Sequence, residues 1–246
     1  MNTQQYIIND ITPFDLTTKV SEVQNAFNQL TYSHIPVTKD VQLFGAQGVT
    51  IHPRPDERHI RYKDAYDLKQ AVTTEYNIEG NPIAKFIDMV LKIKPTQVTL
   101  VPDSIDAITS NAGWDTVKHK DFLSEVISEF KNSGIRTSIF VDPMLKAVEG
   151  AAKVGADRIE LYTEAFAEQY ALGNLDAVLP YDGCAKLAHQ LGLGVNAGHD
   201  LSLDNIAYFA KNVSHLAEVS IGHALISEAI YKGLQPTIEA YLSKLA

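Results

Sequence analysis

The sequence predicts an α/β fold, a (β/α)8 TIM barrel with additional helices, on three observations. From residue 48 onward, short β-rich runs alternate with helical runs. Glycines close the helical runs just ahead of the next strand, at Gly134, Gly155 and Gly192, where a helix end favours a left-handed residue. Seven strand–helix units fill roughly 200 residues, and a short run at 5–11 (QYIINDI) makes eight, which suits a barrel in a chain of 246 residues. An open doubly wound sheet is the rival, but neither GxGxxG nor GxxxxGK[ST] is present to make its phosphate turn.

Taken in order, residues 18–30 read as a helix and 37–44 as a short one ending at Gly45. The strand runs are GVTIH (48–52), TTEYNIE (73–79), QVTLVP (97–102), RTSIFVD (136–142), RIELYT (158–163), GVNAG (194–198) and EVSIGH (218–223). Several are contiguous apolar or β-branched stretches, the mark of parallel strands buried on both faces. Asn81 is expected to cap a helix that opens at Pro82. Asp142-Pro143 reads the same way before 144–153, and Phe122, Leu123, Val126, Ile127 and Phe130 keep helical spacing over 118–132. With no linker or low-complexity tract, residues 1–246 are expected to form a single domain, with 1–47 its divergent first strand and helix region.

Composition narrows the function. Asp and Glu outnumber Lys and Arg by 30 to 21, for a formal charge of -9, which argues against a nucleic-acid-binding surface. No apolar run is long enough for a membrane helix, and the N-terminus lacks the pattern of a secretory signal, so a cytoplasmic protein is expected. The lone Cys184 builds neither a disulfide nor a cysteine metal cluster and reads as a small hydrophobe in a helix. Of the five arginines, Arg54, Arg58 and Arg61 cluster together, and none precedes residue 54.

Reactive side chains gather at strand ends. His52 and Arg54 follow the first clear strand, Glu79 ends the next, and Asp142, Glu160, His199 and His223 lie at or near four other ends. In a barrel these positions converge on one mouth. His52 and Arg54, two apart, share a side of an extended backbone, and imidazole beside guanidinium suits a phosphorylated substrate. The alternative is a solvated loop with Asp56 and Arg58 paired at the surface. Glu79, hemmed by apolar neighbours, is a candidate general base; its alternative is a helix cap. Asn196-Ala-Gly198-His199-Asp200 combines small residues with a proton-transfer candidate. Gly222-His223 leads into a helix near Leu225, the layout of an anion site, although a capping or core histidine fits equally. His52, Glu79, His199 and His223 are potential metal ligands, but no close-spaced pair such as HExxH indicates a metal. Trp114 is read either as closing over the mouth or as packing.

The blocks VTIHPRPDERHI, YNIEG, VTLVPD, DAITSNAGWD, TSIFVD, VNAGHDL and EVSIGHALI, in this order, resemble the pyridoxine 5′-phosphate synthase (PdxJ) family of vitamin B6 biosynthesis, from about Val41 to the C-terminus. The resemblance implies a barrel that condenses 3-amino-2-oxopropyl phosphate with 1-deoxy-D-xylulose 5-phosphate, releasing phosphate and water. It implies no metal, no organic cofactor, and a homo-oligomer, dimer or octamer. By motif match, His52 and Glu79 take general-base roles and His199 the general-acid role. Arg54, His59 and Thr109 match contacts to the deoxyxylulose phosphate. Asp200, Gly222 and His223 fall where the aminoketone phosphate is held, Glu160 supports the mouth, and Asn9 stands in for the family's first-strand asparagine. The family's early arginine has no counterpart before Arg54. A divergent paralogue that binds a phosphosugar without condensing it is the alternative function.

Overall fold

The computed structural model describes residues 38–57, 60–103 and 112–246. Helix α1 (Thr38–Leu43) precedes strand β1 (Gly48–Ile51), and from there the units run α2 (Tyr62–Ala71), β2 (Glu75–Gly80), α3 (Ala84–Ile93), β3 (Gln97–Leu100), α4 (Lys120–Asn132), β4 (Arg136–Val141), α5 (Leu145–Lys153) and β5 (Arg158–Tyr162). Then follow α6 (Glu164–Ala171), a 3-10 turn (Leu175–Val178), α7 (Leu179–Gln190), β6 (Gly194–Gly198), α8 (Ile206–Asn212), β7 (Leu216–Ser220), α9 (His223–Lys232) and α10 (Leu234–Leu245). The seven strands pair in sequence order, all parallel. The result is an α/β fold with a near-closed parallel barrel and flanking helices.

Each strand turns opposite faces to two environments, as the two-residue period of a strand requires. Ile78, Val98, Leu100, Ile139, Val141, Ile159, Leu161 and Val195 point outward into a core shared with Phe86, Val90, Leu123, Ile127, Phe130 and Phe209 of the helices. Each such fully buried side chain contributes roughly 1.5–3 kcal/mol of transfer free energy. The inner face is mostly polar, with Phe140 and Tyr162 packed against Val101 as a small apolar cluster, a polarity that the reading of contiguous apolar runs did not anticipate. Asn77 bridges Thr50 (3.4 Å) and Thr99 (3.2 Å) from strand to strand.

Below this row, Arg136 on β4 bonds Gln97 of β3 (2.8 Å) and Glu75 of β2 (3.2 Å), and lies 3.7 Å from Glu218 of β7. In a flat sheet β2 and β7 would stand roughly 24 Å apart at the usual strand spacing. That carboxylates from both meet one guanidinium shows how strongly the sheet curls. Arg158 completes the layer, bonding Asn196 (2.9 Å) and Glu218 (2.7 Å). The edge strands β1 and β7 are less buried than the five between them.

The expected helix stops hold: Gly134, Gly155 and Gly192 have φ of +77°, +84° and +78°. Cys184 is buried in α7, as expected of a small hydrophobe, and its thiol pKa is pushed up to about 11 by burial. Trp114 is buried in the shared core with its ring edge-on to His119, so of its two readings packing is the observed one. Three helix starts differ, one of them α5, which begins at Leu145 with Met144 at its cap because the Asp142 side chain is engaged by the Gly113 N–H. Helix α3 begins at Ala84, after Pro82, because the Asn81 side chain donates to the Asp103 carbonyl (2.7 Å) instead of capping. Helix α9 begins at His223, two residues before Leu225. The strand at 5–11 and the helix at 18–30 lie outside the described residues.

On the outside, the Gln42 side-chain oxygen accepts the backbone N–H groups of Thr73 (2.7 Å) and Thr74 (3.1 Å) and both their hydroxyls, while its amide donates to Ala71. Two helix glycines give opposite expectations. A Cβ on Gly183 meets nothing within 4 Å, whereas one on Gly150 falls 2.0 Å from the Thr116 hydroxyl, which is tied to the Ala147 carbonyl. Gly183→Ala should therefore stabilise by about 0.5–1 kcal/mol through helix propensity and chain entropy. Gly150→Ala should destabilise by about 1–3 kcal/mol through overpacking, both measured by urea unfolding.

Candidate active site

The C-terminal ends of the strands carry two groups of ionisable side chains. The first is built by β1 to β3. His52 follows β1, and the chain then turns at residues 54–57, where the Glu57 N–H bonds the Arg54 carbonyl (2.9 Å). Glu57 has a positive φ of 56° and holds the turn by accepting the Tyr62 N–H (2.9 Å) and pairing with Lys85 of α3. Those two partners hold its carboxyl below the usual range. This lock places Arg54, 3% exposed, with Nη1 3.1 Å from Asp103 Oδ2. His52 lies between two carboxylates, Nδ1 4.0 Å from Glu79 and Nε2 3.8 Å from Asp103. Glu79 sits on the fifth residue of β2; burial, with Asp103 and Glu218 as like charges, pushes its carboxyl well above the carboxylate range. A carboxyl so raised takes and returns protons near neutrality.

The second group is built by β5 to β7. Glu160 is the third residue of β5, inside the barrel and 3% exposed, rather than at a strand end. Burial first, then the charges of Glu79 and Glu218, raise its carboxyl well above the usual carboxylate range. Gly198 ends β6, where a Cβ would sit 2.6 Å from the Ser220 carbonyl and 3.0 Å from Glu160 Oε1. The glycine is therefore required by neighbouring strands, not only by a ligand. The next residue, His199, adopts φ 84°, and its Nδ1 meets Asp200 Oδ2 at 2.8 Å. Asp200 is fixed by Thr163, whose hydroxyl accepts its N–H (3.2 Å), and by Asn205, which donates to its carbonyl (3.2 Å). The Asp200 bond raises the His199 pKa against its partial burial. Tyr162 faces the ring edge-on at 5.5 Å, and His223 stands at 6.1 Å. Gly222 and His223 form the exposed start of α9, so His223 is not a core histidine.

The structure thus brings His52, Arg54 and Glu79 together on one side and Glu160, His199, Asp200, Gly222 and His223 on the other. Mutual repulsion between Glu79 and Glu160 joins the two groups. Asn9, His59 and Thr109 lie outside the described residues. Asp142 accepts the Gly113 N–H (3.3 Å), which gives it a loop-fastening role. Sequence reasoning assigned nothing to Asp103, the shared partner of His52 and Arg54; its only signal was a carboxylate shortly after a strand, in VTLVPD. Among the described residues no group of three or more His, Cys, Asp or Glu side chains is arranged to hold a metal ion. None of the described helices is long and apolar enough to cross a membrane.

A family model described as "Pyridoxal phosphate biosynthesis protein PdxJ" matches residues 17–246. The chain belongs to the PdxJ family. Relatives named pyridoxine 5′-phosphate synthase include one from Christiangramia forsetii, 62% identical over 92% of this chain and 96% of its own. Another from Flavobacterium johnsoniae is 63% identical over the same shares, and one from Bacteroides fragilis is 56% identical over 91% and 94%. Beyond the PdxJ family, the chain resembles solved structures in fold alone. The phosphoribosylanthranilate isomerase of Thermotoga maritima aligns with TM-score 0.56 at 15% identity, over 87% of this chain and 95% of that one. The thiamine phosphate pyrophosphorylase of Pyrococcus furiosus aligns with TM-score 0.56 at 12% identity, over 85% and 87%.

The His199–Asp200 pair carries a direct expectation. The carboxylate favours the protonated ring, so Asp200→Asn should move the His199 titration midpoint to lower pH, read by NMR of ring-labelled histidine. An unmoved midpoint would show that Asp200 does not govern that proton.

Proposed function

We propose that this protein is a pyridoxine 5′-phosphate synthase, condensing 3-amino-2-oxopropyl phosphate with 1-deoxy-D-xylulose 5-phosphate and releasing phosphate and water. The observation that carries the reading is the meeting of a base group, His52 with Glu79, and an acid group, His199 with Asp200, at one end of the barrel in a chain of this family. Imine formation, enolisation, dehydration and ring closure all need proton transfers, and two phosphates need two anion sites.

Glu79 and His52 act as bases on the carbon acids next to the substrate carbonyls, and His199, protonated through Asp200, donates to departing oxygen. Arg54, together with His59 and Thr109, receives the deoxyxylulose phosphate. The N–H groups at the start of α9, at Gly222 and His223, receive the aminoketone phosphate, and Asn9 is assigned to the same substrate by motif match. Asp200 serves that side through His199, and Glu160 supports the mouth from inside the barrel, between the two groups. The reading calls for no metal or organic cofactor.

The finer architecture belongs to the same proposal: one cytoplasmic domain, a (β/α)8 barrel whose remaining strand comes from residues before 48. The partial exposure of both edge strands supports this. A homo-oligomer, dimer or octamer, is supported by exposed apolar side chains such as Ile230 (68%) and Tyr231 (85%) on α9.

The test is incubation of the purified full chain with both substrates, following pyridoxine 5′-phosphate and inorganic phosphate. Product should form, and Glu79→Gln should lower kcat by about 10²–10⁴-fold without lowering thermal stability. Phosphosugar binding without product would favour the non-condensing paralogue, which the absence of any arginine before residue 54 makes the reading to beat.

A further inference from the structure

We propose that Asp103 is a positioning residue of the base side of the mouth: one carboxylate holds both Arg54 and His52 in register with Glu79. The proposal rests on the synthase reading for its consequence in catalysis, and on geometry for its existence.

Asp103 lies three residues beyond the end of β3, yet its position is set on several sides. The Val101 N–H bonds the Gly80 carbonyl (3.0 Å), carrying the β2–β3 ladder past the strand ends. The Asn81 side chain then donates to the Asp103 carbonyl (2.7 Å). With its backbone fixed at the exit of β2, the side chain is carried inward and is 3% exposed. Its Oδ2 lies 3.1 Å from Arg54 Nη1 and 3.8 Å from His52 Nε2. The other ring nitrogen of His52 faces Glu79 at 4.0 Å. One oxygen thus joins the segments after β1 and β3 across β2, and the order Arg54, Asp103, His52, Glu79 forms a line of alternating partners.

A buried guanidinium needs a counter-charge, and Asp103 supplies it. If that were its whole purpose, the imidazole would be irrelevant to it. The shared oxygen makes it relevant, because a carboxylate charge 3.8 Å from Nε2 biases the orientation and the protonation of the imidazole whose other nitrogen faces Glu79. Among the described residues, the carboxylates within 4.0 Å of His52 are Glu79 from β2 and Asp103 from beyond β3. Asp103 also repels charge on Glu79, one cause of that carboxyl's raised position. Removing the Asp103 charge therefore eases ionisation of Glu79 and disfavours protonation of His52. Both changes move the acid limb of catalysis the same way, to lower pH.

The experiment compares Asp103→Asn, which keeps the shape and removes the charge, with Asp103→Glu, which keeps the charge and displaces it. We expect Asp103→Asn to lower kcat/KM by about tenfold or more, with a raised KM for the phosphosugar and an acid limb shifted to lower pH. The His52 titration, followed by NMR with His52→Gln for assignment, should move down as well. Asp103→Glu should retain the wild-type acid limb with a reduced kcat. An unchanged limb and unchanged His52 titration in Asp103→Asn, with only a lowered Tm, would reduce Asp103 to a counter-ion of Arg54 and overturn the proposal. If Asp103→Asn does not fold, Asp103→Glu decides it, since a wild-type kcat there would overturn it too. The NMR titration needs no turnover, so failure of the synthase reading, seen as no product from the wild type, is distinguishable from failure of this one.

Discussion

The inner face of the barrel carries charge, and the chemistry at its mouth depends on how that charge is balanced along the axis. At the base, Arg136 and Arg158 stand among Glu75 and Glu218, two cations against two carboxylates. Toward the mouth stand Glu79, Glu160 and Asp103, of which Asp103 pairs with the guanidinium of Arg54. Burial, and then the repulsion among these carboxylates, hold Glu79 and Glu160 above the usual carboxylate range. The groups that transfer protons are thus a product of the polar interior.

The apolar exterior makes that interior affordable. Outward-facing isoleucines, leucines and valines bind the helices to the sheet, so the strands need no apolar inner face to hold the fold. The inner face is then released for hydrogen-bonded rows such as Thr50, Asn77 and Thr99. A barrel of this kind has separate surfaces for stability and for chemistry, meeting only at positions such as Gly198, where Glu160 and the β7 backbone leave no room for a side chain.

Much of this was legible in the sequence. The strands from Gly48 onward were visible because several β-branched runs follow glycines whose positive φ stops the preceding helix, a local signal that survives without tertiary context. His52, Arg54, Glu79 and His199 were legible because strand ends in a barrel share one rim. The polarity of the inner face was harder: in TTEYNIE, Glu75, Asn77 and Glu79 alternate with Tyr76 and Ile78, but short alternation is easily taken for a mixed run. Asp103 was illegible because its partners come from a segment about fifty residues earlier and are gathered only when the strands pair. The direction of the Asp200 side chain was equally hidden, since it depends on the left-handed backbone of His199 and on Thr163, just beyond β5.

Gln42 shows how the barrel is fastened at its border. One side-chain amide collects donors from Thr73 and Thr74 and reaches back to Ala71, registering the approach to β1 against the entry to β2. The junction is a mechanical anchor that does not borrow from the active-site residues. A pull on the segment leading into β1 must first break a cluster of hydrogen bonds on a single oxygen, so strain arriving from that side is absorbed before it reaches the strand that His52 follows.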